Sequence, residues 1–171
     1  MVTTHRKKYS FIPAAALLTF VWTGAALSAT SDAFDVTITL QNSCDLSTVP
    51  TDMNFGTQGL LDQDYDATSA IYVTCTTGAS YDLELDEGGN ADGSTRRMTD
   101  GNSNYVSYRL YSDSGHTTLW GDGTTFGDAY ADTGTGSEET VTVYGRVLES
   151  DNSTTPPAGT YTDTVTVTVT F

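Results

Sequence analysis

The sequence has 171 residues, with 22 Asp and Glu against 7 Lys and Arg, and a formal net charge of −15. That length accommodates one compact domain with a short appendage. So large an acidic excess repels phosphate backbones, which excludes nucleic acid as a partner.

The first feature along the chain is a leader. Arg6, Lys7 and Lys8 precede an apolar run over residues 11–27, and the small residues Ser28, Ala29, Thr30 and Ser31 follow it. A charged start, an apolar core and a small-residue cut site identify residues 1–29 as a secretory signal. Cleavage is expected after Ala29, with Ser28 and Ala33 as alternatives. A retained anchor is disfavoured by Thr19, Thr23 and Gly24 inside the run and by the lack of a basic flank behind it. Cleavage leaves four Arg against 22 acids, a net charge of −18, and no Lys. Export also carries Cys44 and Cys75, which lie 31 residues apart, into an oxidising compartment, where one disulfide between them is expected.

Residues 34–40 alternate: Phe34, Val36, Ile38 and Leu40 are interleaved with Asp35, Thr37 and Thr39, the pattern of a half-buried strand. Further short strands are predicted near residues 53–57, 71–75, 81–85, 105–111, 117–120 and 141–147. Turn chemistry separates them, in Gly88-Gly89-Asn90, Asp92-Gly93, Asp100-Gly101, Asp122-Gly123 and Pro156-Pro157-Ala158-Gly159. The last eleven residues carry Thr at every even position. Their odd positions are Tyr161, Asp163, Val165, Val167, Val169 and Phe171, so a strand is predicted to run to the last residue. No stretch holds a helical period, and the pattern predicts an all-β antiparallel sandwich without an internal repeat or dividing linker.

The inventory for catalysis is thin. After cleavage the chain keeps one His, His116, two Cys expected to bond to each other, and no Gly-x-Ser-x-Gly elbow. No enzyme activity, cofactor or metal is expected, and no pair of acids stands out for glycoside hydrolysis. Asp62, Asp64 and Asp66 open like a Ca²⁺ loop. The sixth position is Ala67 instead of Gly and the twelfth is Val73 instead of Glu, so a surface loop is favoured, as it is for the Asp- and Gly-rich residues 86–93. Gly121-Asp122-Gly123 is not a dinucleotide loop, because Gly127 comes one place late and no helix follows. Trp120 offers a surface for stacking on sugar, although a single aromatic beside a turn more often closes a core.

The alternating segment 34–40 has two readings. It is either the first strand of its own sandwich or a donor strand that completes a neighbour's sheet, with main-chain hydrogen bonds for affinity and alternate side chains for pockets. From Cys44 to the last residue the sequence resembles the spore coat protein U domain family, which includes pilins of archaic chaperone-usher pili. The matching residues are Cys44-Asp45-Leu46, Asn54-Phe55-Gly56, Val73 to Gly78, Tyr81 to Gly88, Arg97-Met98, Tyr108 to Tyr111 and Trp120 to Gly123. They continue with Gly134-Thr135-Gly136, Tyr144-Gly145-Arg146 and Ala158 to Asp163. The sequence departs from the family at Val147-Leu148-Glu149, where Pro is common.

That resemblance implies an immunoglobulin-like sandwich lacking one strand, formed by residues 44–171 and preceded by a donor-strand extension at residues 30–43. It implies that Phe34, Val36, Ile38 and Leu40 enter the groove of the next subunit. Val165, Val167, Val169 and Phe171 would line this subunit's own acceptor groove. The implied partners are other copies of the chain or other pilins, a periplasmic chaperone and an outer-membrane usher, with the membrane met only in transit. The expected function is therefore a structural subunit of a surface fibre for adhesion or biofilm. The alternatives are a spore or cell-surface coat protein of the same fold, and a secreted β-sandwich that binds carbohydrate or Ca²⁺.

Overall fold

The computed structural model describes Gly24 and residues 28–171, so most of the expected secretory signal lies outside the described residues. Residues 39–171 form one folded unit, distinct from a preceding unit that ends at Ile38. Eight strands make up the folded unit: β1 (Cys44–Asp45), β2 (Tyr65–Cys75), β3 (Ser80–Leu85), β4 (Arg96–Thr99), β5 (Tyr105–Tyr111), β6 (Tyr130–Thr133), β7 (Glu138–Val147) and β8 (Val167–Thr170). A single 3-10 turn, Glu149–Asp151, follows β7.

The strands form two antiparallel sheets, one of five strands in the order β1-β2-β7-β5-β4 and one of three in the order β6-β3-β8. The longest ladder joins β2 to β7, from Tyr65 opposite Val147 to Thr74 opposite Glu138. Alternation explains which faces meet. Ile71, Val73 and Cys75 on β2, Val141 and Val143 on β7, and Val106, Tyr108 and Leu110 on β5 point to Tyr81, Leu83 and Leu85 of β3, and together they form the buried core of an immunoglobulin-like sandwich. Trp120 lies fully within it, its indole N–H donating to the Leu83 carbonyl at 2.8 Å. That placement removes Trp120 as a surface for stacking on sugar.

The structure alters several predicted elements. Residues 34–40 form no strand, because a strand requires a ladder partner and alternation alone does not provide one. Residues 53–57 also join no ladder. Met53 and Phe55 pack half-buried against the core, but Asn54 Oδ1 accepts the Gly56 N–H at 2.7 Å and Gly56 takes a φ of 78°, which turns the chain out of an extended path. Residues 117–120 contribute only isolated bridges, Tyr111 to Leu119 and Trp120 to Asp128. The predicted final strand is divided in two. Thr162 bridges Thr99 beside the five-stranded sheet, whereas Val167–Thr170 pairs with β3 in the other sheet, so the chain crosses between sheets over residues 163–166.

Candidate functional site

β8 is an edge. It pairs on one side with β3, with Val167 opposite Leu85 and Val169 opposite Leu83, and on its other side it has no strand partner among the described residues. β1, the edge of the five-stranded sheet, is a two-residue strand and lies beside β8. Val165, Val167 and Val169 pack against the core but remain half-buried, as does Leu46 just beyond β1. Phe171, the fourth residue in the same phase, is 61% exposed. The sandwich thus presents an open backbone edge with an apolar floor. Near the Phe171 end, the Tyr81 hydroxyl is buried without a hydrogen-bond partner in the structure, and burial foremost, reinforced by Glu139, pushes its pKa up to about 12.

Asp163 holds the crossing that leads into this edge. Its carboxylate accepts the Tyr108 hydroxyl at 2.6 Å, the Gly89 N–H at 2.9 Å and the Asn90 amide at 2.9 Å. Burial, and then the hydrogen bond to Asp163, drives the Tyr108 pKa far above its ordinary value. A step further in, Arg96 is only 3% exposed and donates to the carbonyls of Asp86, Leu85 and Trp120 at 2.8, 2.9 and 3.1 Å, with its guanidinium over the Phe126 ring. Burial lowers its pKa, and Tyr108, Asp86, Asp122 and Asp163 oppose that effect. Arg96 thus ties β4 to the end of β3, and Asp163 ties the crossing to β5 and to residues 89–90, so the approach to β8 is fixed although one of its edges is unpaired.

The extension is quite different. Phe34, Val36, Ile38 and Leu40 are 87, 84, 85 and 78% exposed, four large apolar side chains in one phase with nothing covering them. Single exposed apolar residues are ordinary, but a row of four in one phase is not.

Residues 30–168 match the Spore Coat Protein U domain family. The chain belongs to that family. It is 36% identical to Protein U of Myxococcus xanthus over 132 residues, covering 70% of this chain and 71% of the relative. Among solved structures it is similar to a chain of the CsuC-CsuE chaperone-tip adhesion subunit pre-assembly complex from archaic chaperone-usher Csu pili of Acinetobacter baumannii. That likeness has a TM-score of 0.53 at 23% identity and covers 78% of this chain but only 40% of the solved one, so it bears on the fold alone.

Elsewhere in this Spore Coat Protein U domain, the residues considered for other chemistry have local partners. Cys44 and Cys75 are disulfide-bonded across the β1–β2 pair. Asp62 faces the Tyr65 hydroxyl, whereas Asp64 and Asp66 pair with Arg146, so the three acids do not converge. No cluster of three or more metal-ligating side chains occurs among the described residues. His116, held at a φ of 54°, sits edge-on to Tyr111 and Tyr144 with Nε2 3.7 Å from Asp66. Asp163 was visible in the sequence as the one acid in an apolar phase. Arg96 gave no such signal.

Proposed function

We propose that this chain is a structural pilin subunit of a secreted surface fibre, joined to its neighbours by donor-strand complementation and serving adhesion or biofilm formation. One observation carries the reading: a single chain holds both an unpaired sheet edge with an apolar floor and an exposed segment of matching period. Phe34, Val36, Ile38 and Leu40 enter the groove beside β8 of the next subunit, over Val165, Val167, Val169 and Phe171. The seven residues of the segment span about 23 Å at roughly 3.3 Å each. Each apolar side chain contributes about 1.5 to 3 kcal/mol when fully buried. Residues 30–43 then act as the extension and residues 44–171 as the acceptor domain. In transit a periplasmic chaperone covers the groove, and an outer-membrane usher exchanges it for the next donor. The role is structural, without catalysis, and the fold and family are consistent with that.

The decisive variants are a deletion of residues 30–41, Ile38→Asp, and a second copy of the segment attached after Phe171 through a flexible linker. The deletion should leave a protomer that a chaperone still holds but that cannot cap a neighbour. Ile38→Asp should act similarly, since a carboxylate in a dry groove has no partner. The added copy should yield a stable monomer that no longer polymerises. Size-exclusion profiles and thermal melts, with and without chaperone, read all three. A wild-type chain that stays a stable monomer without chaperone, and melts lower once the segment is removed, would overturn the reading.

A coat protein of the same fold is the second reading, favoured by the likeness to Protein U and by the family's name. Immunogold labelling of intact cells separates the two, since filaments support the pilin and a continuous shell supports the coat.

A further inference from the structure

The linker between the alternating segment and the domain is held, although it buries nothing. Residues 41–43 are exposed, yet the Ser43 N–H donates to Thr76 Oγ1 at 3.1 Å and the Thr76 N–H donates to the Ser43 carbonyl at 2.9 Å. The Thr76 hydroxyl also lies 3.3 Å from the Ser43 carbonyl and 3.4 Å from that of Gln41, and its single proton serves one of them at a time. These bonds continue the β1–β2 pairing one step beyond the Cys44–Cys75 bridge.

Thr76 is itself fixed from behind. The β6–β7 turn packs on the β2–β3 turn, with the Gly136 N–H on the Cys75 carbonyl at 3.0 Å, the Gly78 N–H on the Gly134 carbonyl at 2.8 Å and the Thr77 hydroxyl on the Thr135 carbonyl at 3.0 Å. The approach requires glycine: a Cβ on Gly134 would sit 2.5 Å from the Cys75 Cβ, and Gly136, at a φ of 84°, would place one 2.4 Å from the Thr77 hydroxyl. Ser80, Thr133, Thr170 and Phe171 line one shallow depression at the same end of the sandwich. The linker therefore leaves from a rigid end of the domain, where β8 also finishes.

Ordering a residue costs about 1 to 2 kcal/mol of backbone entropy. Burial offsets that cost in the core but not at residues 41–43, and the domain is already closed at this point by the disulfide. We propose that Thr76 is a positioning residue for the donor segment: its side chain fixes the path of residues 41–43 and so sets how stiffly each subunit is aimed at the next. This rests on the donor-strand reading. It adds that the joint between subunits is a clamped strut and not a free hinge.

The test compares fibres of the full exported chain with those of Thr76→Val, which keeps the shape and loses the hydroxyl, and Thr76→Ser, which keeps the hydroxyl. Hydrogen exchange over a peptide containing Ser43 should be roughly fivefold faster in Thr76→Val, the effect of one lost hydrogen bond. Its fibres should show a shorter persistence length in electron micrographs at unchanged subunit stability, and Thr76→Ser should restore both. Thr76→Val fibres as stiff and as protected as wild type would overturn the clamp while leaving the donor strand in place. Fibres from a chain lacking residues 30–41 would overturn the donor-strand reading and the proposal with it, an outcome read from the deletion and not from Thr76.

Discussion

Asp163 occupies an odd position in a run whose other odd positions are Tyr161, Val165, Val167, Val169 and Phe171, and the pattern alone would favour Val there. The structure shows why Val would fail: Tyr108, Gly89 and Asn90 all donate to that carboxylate. Asp163→Val would leave a largely buried hydroxyl and a loop N–H without an acceptor, so a loss of roughly 2 to 3 kcal/mol is expected. Urea midpoints of the self-complemented monomer measure it, and an unchanged midpoint would refute the latch. Asp122 provides a second prediction. The Phe126 N–H above all, and then the Thr124 N–H and hydroxyl and the Thr125 N–H, hold its pKa well below the ordinary carboxylate range, against a smaller opposing effect of desolvation. Backbone and side-chain donors act in the same direction on Asp113 and Asp100. A folded-state pKa below the unfolded value of about 3.9 contributes stability that is complete above that value and lost as pH falls towards the folded one. Stability should therefore hold from pH 7 to about pH 4 and decline below it, and Asp122→Asn should reduce that decline. Denaturation series across this range give the slope, and a steeper decline in the variant would contradict the assignment.

At the scale of the element, β1 is too short to stay paired by its own ladder, and the disulfide holds it against β2. Reduction reopens a loop of 31 residues. In the loop-entropy account the bridge contributes about 3 to 4 kcal/mol, so reduced protein should melt earlier and lose β1 first, as exchange at residues 44–46 would reveal. The strands most legible in the sequence were those whose alternation was uninterrupted. Tyr105–Tyr111 matches the predicted span, and residues 81–85 and 141–147 fall inside β3 and β7. β2 begins six residues earlier than expected because Asp66, Thr68 and Ser69 conceal its period. β4 was missed because the more deeply buried of its two core-facing residues, Arg96 and Met98, is Arg96, a charge that only three carbonyls and an aromatic ring make tolerable in a core. β6 is a short, largely exposed edge with little apolar pattern to detect. Periodicity at residues 34–40 tells which face the segment offers but not what accepts it. The alternation of Val165, Val167 and Val169 was legible for the same reason as the strands, whereas an acceptor role for them came only from the family resemblance, and the role proposed for Thr76 depends on which turns meet at one end of the fold.

For the whole molecule the decisive quantity is charge. The four Arg of residues 30–171 all have local partners: Arg96 is buried, Arg97 pairs with Asp92 and covers the Tyr105 ring, Arg109 pairs with Asp151, and Arg146 with Asp66 and Asp64. In the proposed fibre none of these four is left to attract an incoming acidic neighbour, and each subunit would approach the next carrying many uncompensated carboxylates. Apolar contacts in the groove must overcome that repulsion. Its range is set by the Debye length, about 8 Å at physiological ionic strength and longer in dilute salt. Polymerisation of isolated subunits should therefore accelerate as sodium chloride is raised from roughly 20 to 300 mM, the reverse of the slowing expected when complementary charges steer association. Light scattering under both conditions reads the rate. The neutralising variants Asp52→Asn and Glu87→Gln, at exposed carboxylates, should reproduce part of the acceleration at low salt. A rate that falls with salt would show that opposite charges face each other across the joint, in which case the acidic surface guides assembly instead of resisting it.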